Sequence, residues 1–243
     1  MVTLFRKEIA SFFSSLIGYI VIAVFLLGTG LFLWVFDGEL NILQSGYAGL
    51  DGLFMIAPWI FLFLAPAISM RFFADESKSG TLELLFTFPI SDLSIVLSKF
   101  FAGLVLMFIA LLPTVLYFIT VYALGSPVGN IDIAATIGAY IGLLFLAGVY
   151  VAIGTFVSSI TDNQIISFII SAALCFALYV GFDFIAEVFP EGVFKRISIS
   201  LGIAQHYDSI SRGVIDTRDI VYFLSVISFF IYITHISLKK KHK

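Results

Sequence analysis

The sequence predicts an all-α polytopic membrane protein that crosses the bilayer with six helices. Three observations predict this class. Hydrophobic residues make up 60% of the chain, only 12% of the residues are charged, and the apolar residues fall into long runs separated by short polar segments. A soluble domain would carry about 25% charged residues, whereas a crossing helix needs about 20 predominantly apolar residues. The composition therefore fits a membrane bundle and excludes an ordinary soluble domain.

The predicted spans belong to one transmembrane domain that covers residues 1–243. No linker rich in proline, glycine or serine divides the chain, and no internal repeat relates its two halves. The single cysteine, Cys175, lies in an apolar run, where a buried and inert thiol is expected. The six predicted spans are residues 16–36, 53–73, 95–123, 133–160, 165–188 and 220–238.

Residues 2–15 predict a helix that lies in the membrane interface before the first span. Apolar side chains fall on one helical face and polar side chains largely on the other, which is typical of interfacial helices. A plain helical lead-in is the simpler alternative. A signal peptide is disfavoured because the following apolar run is too long and no small-residue cleavage site follows it. The apolar face comprises Val2, Phe5, Ile9, Phe12, Phe13 and Leu16.

A polar segment, residues 75–92, separates the second and third predicted spans and must face water on one side of the membrane. Gly80 permits a bend, residues 81–88 form a short helix of mixed apolar and polar side chains, and Pro89 ends it. The candidate N-terminal caps are Ser77 or Ser79 for this helix and Ser91 or Asp92 for the following span.

Two interpretations of this polar segment remain open. It is either a solvated connector, which is the commonest role of such segments, or a docking helix on which a soluble partner acts. Apolar residues flanked by acids favour docking, because they suit a partner's cleft better than water. The candidate partner-binding residues are Glu76, Gly80, Thr81, Glu83, Leu84, Leu85 and Pro89.

Prolines and glycines inside the spans predict kinks and close helix packing. Each proline removes a backbone hydrogen bond and can bend its helix. The fourth span contains a G-x-x-x-G pattern, for which packing within one subunit is the simpler interpretation and dimerisation the alternative. The prolines are Pro58, Pro66 and Pro113, and the small residues are Gly138, Gly142, Gly148 and Ala152.

Two further connections complete the chain. Residues 161–164 predict a tight turn in which Asp162 can cap the fifth span. Residues 189–217 are too apolar for a free loop and too polar to span, so short re-entrant helices are expected, with a loop folded over the bundle as the alternative. Gly213 can end one of these helices, and Asp216 or Thr217 can cap the last span.

The distribution of lysine and arginine predicts the orientation. Nine of the 13 basic residues lie in the N-terminal segment, around the polar segment and in the C-terminal tail, which an even number of spans places on one side. The other four lie in or near residues 189–219. Because basic residues are enriched in cytoplasmic segments, both termini and residues 75–92 are predicted to be cytoplasmic.

Several function classes are disfavoured. No ionisable residue lies near a predicted midplane, whereas ion-coupled carriers usually need intramembrane acids or histidines. The three histidines are too scattered to form one metal site, and no catalytic or cofactor-binding motif is present. The phosphate-binding motif G-x-x-x-x-G-K-[ST] is also absent, so any ATP hydrolysis is expected in a separate subunit. Nucleic acid is not an expected partner.

The chain resembles type-2 ABC permeases, the membrane subunits of one class of ATP-driven exporter, over essentially its whole length. The most specific part is the pattern around Gly80–Pro89, and the segments 161–164 and 212–216 are similar to the same family. Within the family, the sequence most resembles the permease subunit associated with bacterial gliding motility. The matching residues near the polar segment are Pro66, Met70, Arg71, Glu76, Gly80, Thr81, Leu82, Glu83, Leu84, Leu85, Pro89, Ile90 and Lys99.

The resemblance implies an architecture and a set of partners. It implies an interfacial helix at residues 2–15, a coupling helix at about residues 81–88 and re-entrant helices at about residues 195–212. It also implies assembly of two permease subunits, of the same or different chains, with two ATPase subunits in a bacterial inner membrane, and an accessory envelope protein is a further candidate partner. The alternatives are an ion-coupled secondary carrier and a structural subunit of a larger machine that transports nothing.

Overall fold

The computed structural model describes residues 1–241, and every regular element in that range is a helix. His242 and Lys243, which were assigned to the cytoplasmic tail, lie outside the described residues. The helices are α1 (Val2–Phe13), α2 (Leu16–Trp34), α3 (Asp51–Ser69), α4 (Ala74–Lys78), α5 (Thr81–Thr87), α6 (Asp92–Leu111), α7 (Val115–Leu124), α8 (Ile133–Ile160), α9 (Gln164–Val188), α10 (Val193–Leu201), α11 (Ile203–Ser211) and α12 (Thr217–Lys241), with a 3-10 turn at Leu112–Thr114.

The predicted fold class is confirmed. Six helical segments of the described chain are long and apolar enough to cross a membrane. Four of them are single helices. The second runs through α3 and α4, and the third comprises α6, the 3-10 turn and α7. The six segments are Leu16–Trp34, Asp51–Lys78, Asp92–Leu124, Ile133–Ile160, Gln164–Val188 and Thr217–Lys241.

The prolines lie in two of these segments, within a continuous helix in one and at a break between helices in the other. Pro58 and Pro66 lie within α3, and both are buried. Pro113 lies in the 3-10 turn that separates α6 from α7. Because a proline ring cannot donate a backbone hydrogen bond and clashes with the preceding turn, it locally breaks the regular helical ladder.

The fourth span, α8, forms the centre of the bundle. In its most apolar stretch 78% of the residues are buried, against 17% for α12. Small residues make this possible because they let backbones approach closely. A Cβ added to Gly138 would lie 3.0 Å from the Cα of Gly213, and one added to Gly142 would lie 2.7 Å from Ile210 Cγ2. The glycine pattern therefore packs against α11 and the turn after it, within one chain.

The two ends of the bundle carry different accessory helices. At one end, called the α5 end, α1, α4, α5, the turn at 161–163 and the last turn of α12 come together, because Asp162 contacts both Ser77 and Lys241. At the other, called the α11 end, α10 and α11 cover the helix termini. Helices are present at the positions predicted for the interfacial, docking and pre-span-6 helices, within two residues or so of the expected bounds.

The predicted helix caps are partly correct. Ser91 caps α6 by accepting a hydrogen bond from the Ser94 amide at 3.3 Å, as expected. Asp162 does not cap α9, because the Asn163 side chain accepts from the Ile165 amide at 2.9 Å instead. The proposed serine caps of α5 are wrong as well. Its N-cap position is Gly80, and the hydroxyls of Ser77 and Ser79 bond elsewhere.

The end of α11 and the start of α12 agree with the sequence. Gly213 adopts a positive φ of 83° immediately after α11, a conformation that glycine adopts without strain. The Asp216 carboxylate then accepts a hydrogen bond from the Arg218 amide at 2.9 Å, which satisfies a free amide at the start of α12.

Candidate functional site

The α4–α5 hairpin projects from the α5 end of the bundle. Its turn depends on Gly80, whose φ of 70° lies in the left-handed region that other residues adopt only with strain. After α5 the backbone at Phe88 is extended, as the following Pro89 requires, so the helix stops at Thr87. The chain thus presents one short helix, held between a glycine turn and a proline stop.

The helix α5 has an inner and an outer face. Leu82 is buried, and Leu85 and Phe86 pack partly against the hydrophobic core. On the outer face, Leu84 and Phe88 are 62% and 58% exposed. Large apolar side chains this exposed, four residues apart and beside an acid, suit a partner's cleft. The exposed α5 face comprises Thr81, Glu83, Leu84, Thr87, Phe88 and Pro89.

The sequence-predicted binding residues fall into two groups. Most lie on the hairpin surface: Gly80, Thr81, Glu83, Leu84 and Pro89 are exposed, and Leu85 is half-buried. Glu76 lies apart from them. Only 8% of it is exposed, and its carboxylate points into the protein, where it meets two lysines. Its position therefore suits holding the hairpin from inside rather than contacting a partner directly.

Glu76 belongs to a four-charge cluster with Lys7 and Glu8 of α1 and Lys99 of α6. The Lys7 ammonium donates to Glu76 Oε1 at 2.8 Å, and the Lys99 ammonium donates to Glu8 Oε1 at 2.7 Å. Lys99 Nζ also lies 3.0 Å from Glu76 Oε2 and 5.0 Å from the centre of the Phe73 ring. Two cations and two anions thus join α1, α4 and α6.

Burial makes this cluster sensitive to the loss of any one member. Lys99 is fully buried, and the Glu8 and Glu76 side chains are only 11% and 10% exposed. Partial burial by itself would lower the pKa of Lys7, but the hydrogen bond to Glu76 and the charges of Glu76 and Glu8 outweigh it and raise that pKa. A buried ammonium such as that of Lys99 is tolerated only because carboxylates compensate it.

A serine of α8 anchors the junction between α3 and α4. The helix breaks after Ser69, which leaves backbone groups without helical partners. The buried Ser158 hydroxyl accepts from the amides of Phe73 and Ala74 at 3.0 and 3.1 Å and donates to the Met70 carbonyl at 3.1 Å. The start of the hairpin is therefore fastened directly to the central helix.

Polar contacts with the turn before α9 hold α4 from another side. Ser77 donates to the Asp162 carboxylate, and Gln164 donates to that of Asp75. The hydrogen bond from Ser77, together with Lys241, lowers the pKa of the exposed Asp162 carboxyl. The hairpin is thus tied to α1, α6, α8 and the α8–α9 turn, while the exposed α5 face has no comparable contacts among the described residues.

Sequence analysis missed the four-charge cluster and the Ser158 anchor. It used Lys7 only to assign orientation, and Lys99 for orientation and for the family resemblance. One signal was available: Lys99 lies within α6 between apolar residues, where a cation needs a partner. Nothing in the sequence identified that partner. Within residues 1–241, no group of three His, Cys, Asp or Glu side chains could hold a metal ion.

The chain matches the family model described as "ABC-2 family transporter protein" over residues 2–235. The match extends from α1 into the last turns of α12, so it includes the α4–α5 hairpin, the four-charge cluster and the helices of the α11 end. No curated protein matches the chain.

Proposed function

Because the chain belongs to the ABC-2 family of transporter proteins, and is therefore a membrane permease subunit of an ABC transporter, we propose that it couples ATP hydrolysis in a separate subunit to export across a bacterial inner membrane. Family membership implies an ABC ATPase as partner and the lipid bilayer as the setting. The observation that carries the proposal is the exposed α5 face, an apolar and acidic surface at one end of a membrane bundle.

The proposed orientation places the α5 end and both termini in the cytoplasm, where ATP is available. Lys7, Lys99 and Lys241 make ion pairs at this end, and Arg71 lines a small pocket beside Lys7. The loops 35–50 and 125–132 at the opposite end contain no lysine or arginine. Lys195, Arg196, Arg212 and Arg218 also lie at that end, but they are fewer than the nine basic residues that the sequence assigns to the side of α5. This excess supports the orientation, since basic residues are enriched on the cytoplasmic side.

In the proposed coupling step, a cleft of the ATPase binds the exposed α5 face. Leu84 and Phe88 fill the apolar part of the cleft, and Glu83 pairs with a cation on the partner. Gly80 and Pro89 set the bend and the length of the helix, while Thr81 and Leu85 lie at the edges of the contact. Glu76 holds the hairpin to the bundle from behind.

Movement of the hairpin is then transmitted through its fixed contacts. The four-charge cluster links it to α1 and α6, and Ser158 links it to α3 and α8. When ATP closes the partner subunits, these helices move together because close-packed elements shift as rigid units. The closed arrangement is favoured only if the ATPase binds it more tightly than the open one.

We propose that two permease subunits surround the transport path and that the complex serves bacterial gliding motility, with an accessory envelope protein as a further partner. The likeness of the sequence as a whole to the permease subunit of that system supports this assignment. If the complex hydrolyses ATP for movement but transports nothing, the role is that of a force-transmitting subunit.

The test is to purify the chain with its partner ATPase subunit and measure coupled ATP hydrolysis in nanodiscs. Leu84→Asp and Glu83→Lys should leave membrane insertion intact and abolish the stimulation of ATPase activity by the permease. Leu43→Asp is the matched control, because Leu43 is equally exposed, at 66%, but lies in the loop after α2. Full coupling in the Leu84→Asp/Glu83→Lys double variant would refute the role of α5.

A further inference from the structure

His206 of α11 contacts an oxygen acceptor with each of its ring nitrogens. Its Nδ1 lies 2.6 Å from Asp219 Oδ1, and its Nε2 lies 2.9 Å from the backbone oxygen of Ser200. Neither a carboxylate nor a carbonyl can donate a proton. A neutral imidazole would therefore place its unprotonated nitrogen, which can only accept a hydrogen bond, against one of these oxygens. With Asp219 ionised, both contacts are satisfied only when both nitrogens carry a proton, so the geometry fits a His206 imidazolium paired with the Asp219 carboxylate.

The surroundings of His206 stabilise a positive charge. Ser200 lies in the last turn of α10, where carbonyls lack helical partners and the helix end carries partial negative charge. The neighbouring Leu201 carbonyl accepts a hydrogen bond from the Tyr222 hydroxyl at 2.6 Å. The Tyr222 ring also stacks on the imidazole, with 3.9 Å between ring centroids and 19° between planes. The last two carbonyls of α10 are thus contacted by His206 of α11 and Tyr222 of α12.

Asp219 depends on His206. Only 6% of Asp219 is exposed, and its second oxygen, Oδ2, is buried without a hydrogen-bond partner in the described part of the chain. His206 is the basic side chain that pairs with it among residues 1–241. Loss of the imidazolium charge would leave a buried carboxylate uncompensated, which is strongly unfavourable.

We propose that the contacts of His206 with Asp219 and Ser200, called the His206 clasp, join α10, α11 and α12 at the α11 end and depend on a proton. The clasp opens when this proton is lost. The inference concerns regulation and goes beyond the permease role; it uses the proposed orientation only to identify the external side as the one whose pH is sensed. A histidine changes charge between about pH 5 and about pH 8. The clasp is therefore closed while the imidazole is protonated and opens when rising pH removes the proton.

Other charged groups near the clasp do not replace its proton. Asp208 of α11 already pairs with Arg212, and α8, which packs against α11, contains no Asp, Glu, Lys, Arg or His. At the α11 end, the charged groups on the remaining packed helices are Lys195 and Arg196 of α10, Asp183 and Glu187 of α9, and Arg218 and Asp219 of α12. Of these, Asp219 makes the direct contact, so the imidazole is the group whose titration changes the clasp.

The first experiment is nitrogen NMR of the full-length chain in nanodiscs with ¹⁵N-labelled histidine. The His206 signals are assigned by their loss in His206→Gln. In the acidic condition both ring nitrogens should be protonated, and raising the pH should remove one of these protons. A single protonated nitrogen in the acidic condition in the unmodified chain would overturn the proposal, and this readout requires no variant to fold.

The second experiment measures amide hydrogen exchange in α10 and α11, corrected for the intrinsic pH dependence and normalised to α8. Protection of α10 should fall about tenfold from the acidic to the basic condition, the size expected for losing a cation at a helix C-terminus in a partly buried site. His206→Gln should remove this dependence, and His235→Gln, a histidine at the other end of α12, should keep it. An equal dependence in His206→Gln would also overturn the proposal, and neither result bears on ATPase coupling through α5.

Discussion

Replacing Lys99 by methionine tests whether the four-charge cluster holds the hairpin in place. Methionine has a similar length but no charge, so Glu8 and Glu76 would keep their positions and lose their shared cation, which lies 2.7 and 3.0 Å from them. The remaining cation, Lys7, is 59% exposed and forms an ion pair with Glu76. Two nearly buried carboxylates would therefore face each other with little compensation.

The expected magnitude follows from the burial of the pair. Removing one partner of a buried ion pair costs about 3–5 kcal/mol, which for a chain of this size lowers Tm by roughly 6–20 °C. Lys7→Met removes a mostly solvated charge and should cost only about 0–1 kcal/mol. Neutralising the whole buried set in Lys99→Met/Glu8→Gln/Glu76→Gln should recover much of the loss, because no uncompensated charge remains.

The protein carries its own reporter for this assay. Cys175 is the single cysteine and is fully buried in α9, so a thiol-reactive fluorophore labels it when the bundle opens. Thermal labelling curves of the purified variants give the Tm values directly. If Lys99→Met melts no lower than Lys7→Met, the cluster contributes no more than a surface ion pair, and its role in fixing the hairpin is wrong.

Two further predictions use the same labelling assay. Ser158→Ala leaves two buried amides at the α3–α4 junction without an acceptor and should cost about 1–3 kcal/mol. The control is Ser159→Ala, whose hydroxyl bonds only within its own helix and whose loss should have a smaller effect. Equal effects of the two variants would refute the role of Ser158 in holding the α3–α4 junction. Gly142→Leu should force α11 away from α8 and clearly lower Tm, because even a Cβ at this position would lie 2.7 Å from Ile210 Cγ2. Gly181→Ala should be neutral, because a Cβ there would meet no atom within 4 Å. An unchanged Tm in Gly142→Leu would show that the contact between α8 and α11 is loosely packed.

The sequence was informative wherever a feature depends on residues close together in the chain. The six spans follow from the length of the apolar runs, and the boundaries of α5 follow from Gly80 and Pro89, whose backbone preferences act locally. Local reasoning failed where several neighbours offered the same chemistry. Asp162 and Asn163 could both cap α9, and the contact of Asp162 with Ser77 and Lys241 leaves the cap to Asn163.

The tertiary structure alone decided which polar side chains meet. Lys7 pairs with Glu76 across 69 residues of sequence, Lys99 with Glu8 across 91, and Ser158 bonds the Phe73 amide across 85. Hydrophobic periodicity reports which face of a helix is buried, but it carries no record of what that face is buried against. The amino-acid sequence by itself therefore determined a six-span bundle with a short amphipathic helix between its second and third spans. Folding determined that Glu76 turns inward to the lysines, because a charge near an apolar core is stable only beside its counter-charge.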